Sequence, residues 1–229
     1  SYRYSAIYFL RLFFDFLGVE INPARHIKFP KINPAAQVKF IESHEITQLL
    51  EVLEQKVQSG QYLRESAIVH LMLFTGLRIS EVLALRKEDI HPSGVILIRD
   101  SKTYESRVTQ IPKEVQAAIQ AYHKACPNPN TPNVFYPYRG PSHKPLSYST
   151  LQTMIQKLFK EAGIYKKGRN LHAFRHTFAR SLVEEGFKRE EIQIFLGHKR
   201  IQTTEIYTRL CHQDILKRSP VVHKAIKTY

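Results

Sequence analysis

A mainly α-helical domain with one small antiparallel β-sheet, an α+β arrangement, is the fold class this sequence predicts. Three observations lead there. Apolar residues recur at helical spacing in several separate segments. Only "GVILIRD" and "SRVTQIP" have strand character, and the few polar residues between them read as a hairpin turn. No internal repeat or low-complexity tract interrupts the pattern. The chain has 229 residues, 43% hydrophobic and 24% charged, enough for one packed domain with an appendage or for two small domains.

In chain order, "YSAIYFLRLFFDFL" (residues 4–17) reads as a helix stopped by Gly18. Phe9, Leu10, Phe13, Phe14, Phe16 and Leu17 cannot all face one neighbour. Residues 1–20 are therefore expected to be the last helix of a domain truncated at its N-terminal side. Residues 21–40 carry prolines at 23, 30 and 34 among basic residues, the composition of an interdomain linker. From Ser43, a plausible cap, Ile46, Leu49, Leu50, Leu53 and Val57 form a helical stripe ended by Gly60. A buried helix is expected over 62–74, closing at Thr75-Gly76, and another over roughly 79–86. After the hairpin, Pro112 opens a helix with Val115, Ile119 and Tyr122 on one face. A further helix spans 149–162 on Leu151, Met154, Ile155, Leu158 and Phe159, with Gly163 as its stop. Phe174, Phe178 and Leu182 mark another, and a short helix ends at Gly197. The main domain is expected to span 41–212, followed by a tail over 213–229.

Charge narrows the function. Thirty-four Lys and Arg against twenty Asp and Glu leave a formal charge of +14, which suggests a polyanionic partner, most often nucleic acid. No run is apolar enough to span a bilayer, and no membrane association is expected. Two cysteines, Cys126 and Cys211, make no disulfide framework, which favours a reducing cytoplasm. HExxH, CxxC, a carboxylate cluster, a Walker loop and GxGxxG are all missing, so neither a metal nor a cofactor is expected.

The residues with chemical potential lie in separate short stretches. "LHAFRH" (171–176) packs two histidines and an arginine into six positions, and such cations repel one another unless something anionic joins them. His172 and Arg175 are about one helical turn apart and can address one target. In "TGLRISEVLALR", Arg78 opens a helix and can clamp phosphate bidentately, with Glu81 three residues on as an orienting carboxylate. His198 follows Gly197 in a turn, and Tyr207 stands nine residues later on a helix that Thr203 can cap. Lys102 occupies the hairpin tip. Each has a plainer reading: a surface Arg–Glu pair, structural histidines, a half-buried tyrosine, a solvated loop lysine.

Taken together and in this order, the stretches resemble the tyrosine recombinase (phage-type integrase) family, with its Xer-type members, over about residues 43–212. "TGLRISE" resembles the family's first arginine box, "LHAFRHTFA" its H-x-x-R box, and "LGHKRIQTTEIYTR" the box with the late histidine and the tyrosine. The resemblance implies the recombinase catalytic-domain fold. It implies that Arg78, His172, Arg175 and His198 activate a phosphate, that Tyr207 is the nucleophile and that Lys102 is the general acid. Ser101 and Thr103 flank Lys102 where many Xer-type members have glycines. It further implies double-stranded DNA as partner, a homotetramer on two DNA sites, a site-specific recombination reaction without cofactor, a tail docking on a neighbouring protomer, and a nucleoid-associated protein of a prokaryote, phage or mobile element. The N-terminal helix resembles the last helix of the family's DNA-clamping domain. Lys28, Lys31, Lys166, Lys167, Arg169, Lys199 and Arg200 are expected to meet DNA. A type IB topoisomerase, which shares this chemistry, and a non-catalytic DNA-binding protein are the alternatives.

Overall fold

The computed structural model describes residues 2–29, 40–99, 106–128, 130–138 and 144–197. The chain divides into two compact units, residues 1–38 and 39–229.

In the first unit, helix α1 (Tyr2–Phe16) ends where Gly18 adopts a φ of +66°. Residues Pro23–His26, within the expected linker, form a 3-10 turn. Arg11 on α1 ties it down, donating from Nε to the Ala24 carbonyl at 3.1 Å and from Nη2 to the Ile27 carbonyl at 2.8 Å. Asn22 donates back to the Arg11 carbonyl at 2.9 Å. These bonds satisfy backbone groups that an extended proline-rich segment would leave to water. Phe9 and Phe16 remain exposed.

The second unit is the helical domain with one hairpin that the periodicity predicts. Helix α2 (Ser43–Gln58) buries Ile46, Leu49 and Leu53. Its cap is Glu42, not Ser43: the Glu45 carboxylate reaches back to the Glu42 N–H at 2.9 Å and matches one of the unpaired donors at the helix start. Helix α3 (Leu63–Thr75) is buried around its whole circumference, which makes it the central element. It packs against α2, against α5 (Lys113–Ala125) and against α7 (His172–Glu184).

Helix α4 (Ile79–Ala84) stops earlier than expected. A 3-10 turn at Lys87–Asp89 follows, in which the Asp89 carboxylate accepts from the Arg86 N–H at 3.0 Å and Arg99 Nε at 2.7 Å. Strands β1 (Val95–Arg99) and β2 (Ser106–Gln110) pair antiparallel, with Ile98 opposite Arg107. Helix α6 (Tyr148–Glu161) starts from Ser147, whose Oγ accepts from the Thr150 N–H at 3.1 Å. Helix α8 (Arg189–Leu196) packs on α7 and closes at Gly197, where φ is +61°.

One ion pair pins the start of α2 to the loop before α7. The Arg169 guanidinium, buried, donates to both Glu45 oxygens at 3.1 and 2.7 Å, to the Ile164 carbonyl at 2.6 Å and to the Phe40 carbonyl at 3.0 Å. Burial pushes the Glu45 carboxyl up. The bonds from Arg169, Lys166 and the Glu42 N–H outweigh that and hold it at about 2.

Candidate active site

The site forms where α3 and α8 end. The last carbonyls of a helix have no intrahelical donor and carry the negative end of its dipole. Arg175, one turn into α7, uses both ends of its guanidinium fork there. Nη1 donates to the Gly76 carbonyl at 2.7 Å and Nη2 to the Leu196 carbonyl at 2.6 Å. Arg78 donates from Nη2 to the Gly197 carbonyl at 2.7 Å. Two cations from distant segments thus sit on carbonyls of adjacent residues, held by helix ends rather than by carboxylates alone. Gly76 permits this approach: its φ is +58°, and a Cβ there would run into the Phe178 ring.

Among the described residues, Glu81 supplies the carboxylate of the cluster. Its Oε1 accepts from Arg78 Nη1 at 2.8 Å and its Oε2 from the Arg78 N–H at 2.7 Å. Arg107 on β2 donates to both oxygens, at 2.8 Å each. Burial raises the Glu81 pKa, but Arg107 and then Arg78 bring it below the ordinary carboxylate value, so it is ionised at neutral pH.

Among the described residues, Arg78 and Arg107 hold this carboxylate and Arg175 lies near enough to feel its charge, an excess of two positive charges. Burial and the nearby positive charge of Arg78 push Arg175 down to about 10, which still leaves it charged at pH 7. Partial desolvation, then His172 and Arg175, lower the pKa of His176. His172 is exposed in the first turn of α7, and its N–H donates to Asn170 Oδ1 at 3.0 Å.

The structure thus brings together Arg78, Glu81 and Arg175, with His172 one helical turn before Arg175. Lys102, His198 and Tyr207 lie outside the described residues, as do Lys31, Lys199 and Arg200. Among the basic residues expected on DNA, Lys28 and Lys167 are exposed, and Lys166 is exposed while pairing with Glu45 at 2.7 Å. Arg169 is a correction: its buried guanidinium is spent on Glu45 and two backbone carbonyls, so it presents no charge to a phosphate. Arg107 is the residue that motif reading missed. Its one signal was the hairpin register, which sets a charged side chain on the face of buried Ile98. Among the described residues, no group of three or more His, Cys, Asp or Glu is placed to hold a metal, and no helix is long and apolar enough to cross a membrane.

A mostly helical domain whose separated boxes meet at two helix ends, with one hairpin laid against them, defines the class of the tyrosine recombinase catalytic domains. The model of the phage integrase family matches residues 39–214, and the chain belongs to that family. Tyrosine recombinase XerA of Pyrococcus furiosus is 31% identical over 202 residues, covering 88% of this chain and 67% of that protein. A crystal structure of XerA recombinase superposes with a TM-score of 0.61 at 28% identity, over 95% of this chain and 74% of the other. A lambda integrase tetramer bound to a Holliday junction shares the fold, with a TM-score of 0.64 at 18% identity over 88% and 57% of the two chains. The chain is a site-specific tyrosine recombinase.

Proposed function

We propose that the protein cuts and rejoins duplex DNA through a covalent 3′-phosphotyrosyl bond to Tyr207. The observation that carries this reading is the convergence of Arg78 and Arg175 on the Leu196–Gly197 carbonyls, with two positive charges in excess among the described residues. A phosphodiester carries one negative charge, and its pentacoordinate transition state carries two. A cluster two charges in excess favours the second over the first, which is electrostatic preorganisation. Each such donor is worth roughly 10²- to 10³-fold in rate.

In this reading the Tyr207 oxygen bonds to phosphorus while the bond to the 5′ oxygen breaks. His172 accepts the phenolic proton, which is needed because a phenol has a pKa of about 10, and Lys102 protonates the leaving 5′ oxygen. His198 joins the two arginines on the phosphate oxygens. A 5′-hydroxyl from another strand then attacks the phosphotyrosine, so rejoining consumes no cofactor. Lys28, Lys31, Lys166, Lys167, Lys199 and Arg200 contribute to holding the DNA backbone.

Exchange between two duplexes calls for four protomers. The lambda integrase assembly on a Holliday junction supports that stoichiometry by analogy of fold. We assign the chain to the cytoplasm with the nucleoid, residues 1–20 to the end of a DNA-clamping domain, residues 21–40 to a basic linker, and residues 213–229 to a tail that docks on the next protomer. The test is Tyr207→Phe: DNA binding persists while covalent adducts disappear. Adducts at wild-type level in that variant would refute the assignment. Sequencing the DNA attached to the wild-type protein identifies the target site.

A further inference from the structure

Arg107 lies outside every box that marks the family resemblance, yet it touches two of them. The register opposite Ile98 turns it toward the interior, and its side chain is 16% exposed. A charge on that face needs a partner, and both of its Nη atoms find one on Glu81. The other side of the guanidinium lies against Gly197: a Cβ built there would sit 2.7 Å from Nη1, 2.8 Å from Cζ and 2.9 Å from Nε. That Nε is buried with no hydrogen-bond acceptor among the described residues.

The consequence falls on Arg78. Glu81 offers about four lone-pair sites. Arg107 occupies two of them and the Arg78 N–H a third. The Arg78 side chain therefore gives one nitrogen to Glu81 and keeps the other on the Gly197 carbonyl. Without Arg107, the carboxylate would be free to draw the whole Arg78 fork onto itself, the favoured bidentate geometry. Arg78 would then leave Gly197, and the Gly197 backbone would lose the guanidinium packed against it.

We infer that Arg107 is a positioning residue of strand cleavage: wedged between Glu81 and Gly197, it holds the Arg78 guanidinium and the Gly197 backbone in working geometry. This rests on the function proposed above.

The full chain is compared as wild type, Arg107→Gln, Arg107→Lys and the double variant Glu81→Gln/Arg107→Gln. Covalent adduct formation is followed in single turnover, at saturating protein, on a nicked duplex bearing the sequenced target site. In parallel, NMR follows the Arg78 side-chain Nε–H and the Gly197 amide. Arg107→Gln is expected to slow adduct formation on the order of tenfold, within the coupling found for residues of one ion-pair network, with duplex affinity unchanged and both NMR signals displaced. The double variant recovers part of the rate, because the uncompensated carboxylate is gone. Arg107→Lys, which keeps the charge but loses the fork, falls between wild type and Arg107→Gln.

Unmoved Arg78 and Gly197 signals, a wild-type rate in Arg107→Gln, or a double variant no faster than the single one each overturn the inference. A fall in melting temperature with the saturated rate unchanged would reduce Arg107 to a fold-supporting residue. If the wild-type chain forms no adduct on any duplex, the recombinase reaction proposed for it fails separately, and the NMR comparison still decides whether Arg107 positions Arg78.

Discussion

Single residues carry the site because the Gly76, Leu196 and Gly197 carbonyls at the helix ends each take one guanidinium donor. Arg175 spans two carbonyls, on Gly76 and Leu196, with one planar fork. A lysine has a single point charge and cannot bridge both. Arg175→Lys is expected to leave one helix-end carbonyl unmatched, at a cost of about 1–3 kcal/mol, and to slow adduct formation by roughly 10²- to 10³-fold. Urea unfolding and single-turnover kinetics read the two effects. Gly197 is constrained twice, by its φ of +61° and by the Arg107 guanidinium pressed against it. Gly197→Ala adds about 1–2 kcal/mol of left-handed strain and displaces Arg107. Loss of adduct formation should accompany the loss of stability, and a destabilised variant with wild-type cleavage would contradict this account.

Among the elements, the Glu45–Arg169 pair is the main polar lock, since it joins α2 to the loop that leads into α7. Glu45→Gln leaves the buried Arg169 charge uncompensated, and removal of one partner of such a pair costs roughly 3–5 kcal/mol. The pH dependence follows from the same pair. Glu45 is held at about 2 against an ordinary 4.5, so the folded state prefers the ionised form. Its stabilisation is complete above about pH 4.5 and is lost as pH falls toward 2. Denaturant midpoints measured across that range should drop steeply for wild type and less for Glu45→Gln. The helices themselves were legible from periodicity: most of each stripe on α2, α5 and α6 is buried, with Leu50, Val57 and Met154 only partly covered. The ends were less so. The Glu42 cap and the early stop of α4 depend on which side chain reaches an unpaired N–H, a matter of geometry that residue types alone leave open.

For the whole molecule, the formal charge of +14 makes DNA affinity strongly salt-dependent, with a log–log slope of about −0.9 for each phosphate neutralised. Lys167 and Arg169 are neighbours in the sequence with opposite fates. Lys167→Ala is expected to lower the slope by about one. Arg169→Ala should leave the slope unchanged and destabilise the fold. Fluorescence anisotropy over a salt series, paired with thermal melting, separates the two. Residue types, helical periods, the hairpin and the order of the arginine, histidine and tyrosine boxes are all local properties, readable from the chain without folding it. The fate of each charge is not local. Arg169 meets Glu45 across 124 positions, Arg78 meets Gly197 across 119, and Arg107 meets Glu81 across 26. An arginine buried on a carboxylate and one offered to phosphate look the same on paper. Only packing brings the neutralising partner close enough to tell them apart, because Coulomb and hydrogen-bond energies depend on distance in space and not on separation along the chain.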